Sequence, residues 1–303
     1  MSIEILFCIT AIAGLCAKAF SKICSNIVSE KSVASFSIVL LVNSIVACIF
    51  FYISAEFSIA LNGITVLYSL SYALIAAVSI ISNIVVYRYA TISGITVISG
   101  ACSLLCTTVV GGLLFKENIG GKTVLRLLIM IVAMIFAFIE QNNRNKPDAD
   151  KGAKKKNAFI HLILMVAIIA LCGCSNTLIL KFFSASENVT DKNSFFFFTN
   201  VILGIGSAIT FWIACIQKKD EFSNSIVLLK PRKIVSVAGN TICSNISSII
   251  TVIIVSQMDV SLFSPISSAM GILTGVAGSL IFKEKQSYLA YIAASIACIA
   301  III

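Results

Sequence analysis

Charge is scarce in this sequence. Asp, Glu, Lys and Arg together make up 12% of its 303 residues, against roughly 25% in a soluble domain, which excludes an ordinary water-soluble fold. Histidine occurs once, at His161. None of the thirteen carboxylates falls inside an apolar window; all lie at window ends or between windows. A membrane enzyme needs convergent acid, base or metal groups, so no enzyme activity, cofactor or metal site is expected. The apolar windows are continuous and do not alternate, which excludes a transmembrane barrel and leaves helices as the spanning element.

Some features invite other readings. The net charge of +9 suggests nucleic acid, but the basic residues sit between apolar windows, where the positive-inside bias puts them. No nucleic-acid partner is expected. Eleven cysteines suggest disulfides or zinc, yet most lie inside apolar windows and none shows zinc-type spacing. They read as small apolar residues.

Ten spans are expected, at 3–21, 33–53, 64–87, 92–115, 123–141, 158–181, 194–217, 234–257, 260–282 and 287–303. Between the fifth and sixth lies a charged stretch with Pro147 and Gly152, a linker over 142–157. Positive charge follows the first apolar run rather than preceding it, so that run reads as a retained span and not a secretory signal. Two apolar runs close alike, on Phe115-Lys116-Glu117 and on Phe282-Lys283-Glu284, 167 residues later. Gly14 followed by Lys22 is echoed by Gly173 followed by Lys181. The fold expected is therefore an all-α membrane protein of ten transmembrane helices in two five-helix repeats, over 1–141 and 158–303. An odd number of spans per repeat makes the two copies insert in opposite directions, the plan of many secondary transporters.

Orientation follows from Lys and Arg. Seventeen of the 22 lie on the side reached after odd-numbered spans, including all of the linker's. The linker is thus expected in the cytoplasm and both termini outside, in a cell (inner or plasma) membrane.

These features resemble the drug/metabolite transporter superfamily in its ten-span EamA-type form. The residues that carry the resemblance are Ser264-Pro265 ahead of Phe282-Lys283-Glu284, Tyr87-Arg88-Tyr89-Ala90, and Gly173-Cys174-Ser175-Asn176. The fourth span has Ile98 where the ninth has Pro265. The resemblance implies a central substrate cavity lined by spans one, three, four, six, eight and nine. Polar residues in those spans are the candidate substrate contacts: Asn83, Arg88, Ser99, Ser103, Asn176, Asn240, Ser244, Asn245, Ser248, Ser264 and Ser268. In the eighth span Asn240, Ser244, Ser247 and Thr251 share a face, with Asn245 and Ser248 one row over. Each serine can equally bond its own helix or a neighbouring one, so packing and substrate contact both stay open. Pro265 removes one backbone bond and is the expected gating point.

The function expected is a secondary transporter that moves a small neutral, zwitterionic or anionic metabolite by alternating access. The absence of an intramembrane carboxylate argues against a proton-coupled exporter of cationic drugs. The alternatives are a multidrug exporter, a flippase for lipids or lipid-linked sugars, or a non-transporting scaffold. The partners expected are the substrate and the lipid bilayer, with the chain as a monomer or homodimer. Lys18 is expected to snorkel to an interface, and Phe195–Phe198 to form an interfacial aromatic belt or lipid-facing bulk.

Overall fold

The computed structural model describes residues 3–27, 33–89, 92–115, 120–144, 152–186, 191–217, 230–257, 260–283 and 288–302. Among them are ten helices: α1 (Ile3–Ile27), α2 (Val33–Ser54), α3 (Gly63–Tyr89), α4 (Ile92–Phe115), α5 (Gly121–Arg144), α6 (Gly152–Ala185), α7 (Lys192–Gln217), α8 (Pro231–Gln257), α9 (Val260–Ile281) and α10 (Tyr288–Ile302). Eight are long and apolar enough to cross a membrane, as the composition requires of an integral membrane protein. α10, at 15 residues, is about 22 Å long.

Local chemistry sets several helix ends. Asp191 caps α7, accepting from the Asn193 N–H at 3.1 Å, and Asn62 caps α3, accepting from the Ile64 N–H at 3.0 Å. Pro231 opens α8, where its missing N–H costs nothing. α9 ends in a turn with Lys283 left-handed at φ 50°, a common helix stop. Helix α6 begins six residues inside the stretch expected as linker. Ala153 and Lys154–Lys156 are good helix formers, and an adjoining helix extends through them at little cost. Residues 145–151 of the linker lie outside the described residues.

The strongest packing pairs join one helix of the first five to one of the last five: α2 with α7, α1 with α8, α4 with α9, α5 with α10, and α3 with α6. Exchanging helix n for helix n+5 leaves this pattern unchanged: α1–α8 becomes α6–α3, and α1–α3, α4–α5 and α1–α9 become α6–α8, α9–α10 and α6–α4, all in contact. Helices α2 and α7 run antiparallel, since Ser37 meets Thr210, Ser44 faces Gly204, and Phe51 stacks on Phe196. Helices α4 and α9 do the same, with Gly100 on Ser268 and Thr96 on Gly275.

Helices α4, α5, α9 and α10 enclose a close-packed core of Ala101, Leu104, Met130, Ala133, Ala137, Ile272, Ala293 and Ala294. Small side chains let these backbones approach. A Cβ on Gly275 would stand 2.8 Å from the Cβ of Thr96, so only glycine fits there. Glu140, at the end of its apolar span, is packed inward and 1% exposed.

Around α2, α3, α6, α7 and α8 the core is aromatic. Phe195 and Phe196 are 0% and 2% exposed, which corrects the expectation of a belt or lipid-facing bulk for these two. Phe183 and Phe195 rings lie 4.3 Å apart, and Tyr72 meets Phe195 edge-on at 5.4 Å. Successive helical residues point about 100° apart, so a run of four aromatics cannot all face lipid.

Candidate functional site

Beside the aromatic core lies a cavity of about 180 Å³, lined by α2, α3, α6, α7 and α8, with room for several waters or one small metabolite. Five asparagines line it: Asn43 on α2, Asn176 on α6, Asn200 on α7, and Asn240 and Asn245 on α8. Asn43, Tyr72, Asn176 and Asn245 each fall near the middle of their apolar spans. Tyr72 and Phe196 form an aromatic wall, and Ser79, Thr199, Ser244 and Ser248 add hydroxyls. No charged side chain is among these lining residues.

Some of this polarity is consumed internally. The Thr241 hydroxyl donates to the Asn43 side-chain oxygen, tying α8 to α2. The Ser21 hydroxyl donates to Asn240 Oδ1 at 3.0 Å, tying α1 to α8. Asn200 Nδ2 donates to the Phe196 carbonyl at 2.8 Å. Ser248 donates to the Ser244 carbonyl at 3.0 Å, and its side chain is hydrogen-bonded to Tyr72.

Two groups are left over. Asn176 Oδ1, an acceptor, and Asn245 Nδ2, a donor, are buried with no hydrogen-bond partner among the described residues. Leaving such a group unpaired costs about 1–3 kcal/mol. Each of these two atoms exposes less than 1 Å², so an occupant of the cavity reaches them only if the side chains rotate.

No protein-family model matches the chain, and no curated protein matches it.

The structure brings Asn176, Asn240, Ser244, Asn245 and Ser248 to this one cavity. Asn83 lies one turn beyond, donating to the Ser79 carbonyl at 2.9 Å and toward the Ser79 hydroxyl at 3.4 Å. Ser268 is engaged in packing, donating to the Gly100 carbonyl of α4 at 3.1 Å. Ser103 sits at the α4–α6 contact, its Oγ 3.2 Å from where a Cβ on Gly173 would stand. Ser99 is half-buried on α4 and does not line the cavity. Ser264 and Pro265 lie in α9, whose helix continues through both, and Arg88 lies in the last turn of α3. The side chains of these three are outside the described residues.

Asn43, Thr199 and Asn200 complete the cavity without having been candidates, and α2 and α7 replace α1, α4 and α9 as lining helices. A signal for two of them was present: Asn43 and Asn200 are lone amides inside apolar spans, where an unmet amide is costly. Lys18 also departs from expectation. Rather than snorkelling, its amine crosses to α9 and donates to the Gly271 carbonyl at 2.5 Å and to Thr274 Oγ1 at 2.6 Å.

Proposed function

We propose that this chain is a secondary transporter for a small polar metabolite, built as ten membrane spans in two inverted five-helix halves around the amide-lined cavity. The observation that carries the reading is the convergence of five asparagines from four helices on one uncharged cavity inside apolar spans. A permanently buried pair of unmet amides is a standing cost in a static protein. In a transporter that cost is relieved when the side chains turn toward a bound substrate.

Three further observations support it. The helix pairing is unchanged when n is exchanged for n+5. The would-be equivalent helices α2 and α7, and α4 and α9, run antiparallel, as inverted copies must. The cavity draws on helices of both halves, where relative rocking of the halves would change its access. The amides and hydroxyls, with no charged lining group, favour the neutral or zwitterionic end of the substrate range. The linker is cytoplasmic and both termini are outside, on the charge asymmetry. The drug/metabolite transporter superfamily is the family this arrangement fits.

The test is a metabolite screen for thermal stabilisation of purified protein, followed by counterflow of each hit in liposomes. Saturable counterflow abolished by Asn176→Leu supports the reading; hits that stabilise the protein without counterflow sink it.

One observation favours lipid as the cargo. An apolar groove of about 390 Å³ lies between α2, α3 and α7, and Leu203 lines both it and the polar cavity. A headgroup in the cavity with a tail in the groove is the corresponding pose. Flipping of fluorescent lipid in the same liposomes, sensitive to Asn176→Leu, would replace the metabolite by a lipid.

A further inference from the structure

A second cavity, of about 170 Å³, opens on a neighbouring face of α8, between α1 and α9. Glycines make the space. Where a Cβ on Gly14 would stand, nothing lies within 4 Å, and a Cβ on Gly271 would be 4.0 Å from the amine of Lys18.

Lys18 is the chemistry of this cavity. It lies six residues inside the end of the span Ile5–Cys24, about 9 Å along the axis. A cation at that depth pairs with a carboxylate or with backbone carbonyls. Its two hydrogen-bond partners here are neutral: the Gly271 carbonyl and Thr274 Oγ1. An ammonium has three donors and no acceptor, so one donor and the whole charge remain unmatched by those partners. Ser247 and Ser267 also line the cavity, and their hydroxyls have no hydrogen-bond partner among the described residues. The polar side of the cavity is therefore rich in donors. The opposite side is apolar, with Phe7 and Phe263 stacked at 6.1 Å beside Met270.

We propose that this cavity binds a small monocarboxylate, its carboxylate on Lys18 with Ser247 and Ser267, and its apolar body against Phe7, Phe263 and Met270. One buried positive charge matches one negative charge; a dianion would leave a net charge uncompensated away from water. A cationic ligand would be repelled. The inference stands on this cavity alone and does not rest on the transport reading.

The test uses purified full-length protein in detergent, titrated with sodium hexanoate by calorimetry and thermal melting. Sodium chloride at equal ionic strength, hexylammonium chloride and inorganic phosphate are run beside it. Hexanoate should bind saturably and raise the melting temperature, and the other three should not. Lys18→Met should weaken hexanoate binding roughly ten- to a hundredfold, the worth of one charge-assisted hydrogen bond. Gly14→Leu, which fills the open space and keeps the lysine, should abolish binding, and it carries the test if Lys18→Met does not fold. Hexanoate acting no better than chloride, phosphate binding more tightly than hexanoate, or undiminished hexanoate binding in either variant would overturn the proposal.

Discussion

Helices α4, α5, α9 and α10 fill space in the opposite way to α2, α3, α6, α7 and α8. The first group closes on alanines and on glycine against threonine, so its backbones come close and enclose a continuous apolar core. The second packs around Phe51, Phe183, Phe195 and Phe196, and the space beside these rings is lined by amides. Tyr72 and Phe196 touch both the aromatic core and the cavity. Tyr72 and Phe196 thus do two things at once: they bury area, and they wall the cavity beside its polar groups.

Four outcomes test this contrast. The largest effect belongs to the cavity. The double substitution Asn176→Leu with Asn245→Leu should reduce transport of whichever substrate the liposome screen returns by roughly a hundredfold, since both substrate groups lose their partners. The same variant should melt no lower than the parent, because it removes two unpaired polar atoms; a large fall in melting temperature would mean that the amides hold the fold together instead. Next, Gly275→Val should destabilise by about 1–3 kcal/mol, because the new side chain drives into Thr96; unfolding of purified protein in detergent measures it.

A matched pair then sets the two regions directly against each other. Ala133→Leu, in the alanine core, should cost about 1–3 kcal/mol, whereas Ala76→Leu, on the cavity wall, should change stability by less than about 0.5 kcal/mol while blocking substrate stabilisation. Equal stability costs in melting experiments would erase the distinction drawn here. The smallest effect is Ser268→Ala, which removes the bond to the Gly100 carbonyl and should lower stability by about 0.6 kcal/mol without changing counterflow.

Most of the helices were legible in advance. The spans expected at 64–87 and 92–115 lie within a residue or two of α3 and α4, because charged and turn-forming residues bound each apolar run. The eighth-span stripe was legible in part: Asn240, Ser244, Asn245 and Ser248 share a cavity, since helical spacing puts them on neighbouring rows. Ser247 instead lines the cavity between α1 and α9, and Thr251 lines neither. What could not be read was the partner of each group. Ser268 and Asn176 look alike as polar residues in apolar helices, yet one is spent on Gly100 and the other is left unpaired. Lys18 was close to an interface in sequence but reaches α9, 253 positions away.

Membrane residence and helical structure were decided by the sequence alone, because the cost of moving side chains and backbone into lipid is paid segment by segment and depends only on local composition. Which amides stay unmet, which serines bind helices together, and where a lysine finds its acceptors were decided only by tertiary structure. Those outcomes depend on helices brought together from opposite ends of the chain, and no local property of a segment encodes its neighbour's donors and acceptors.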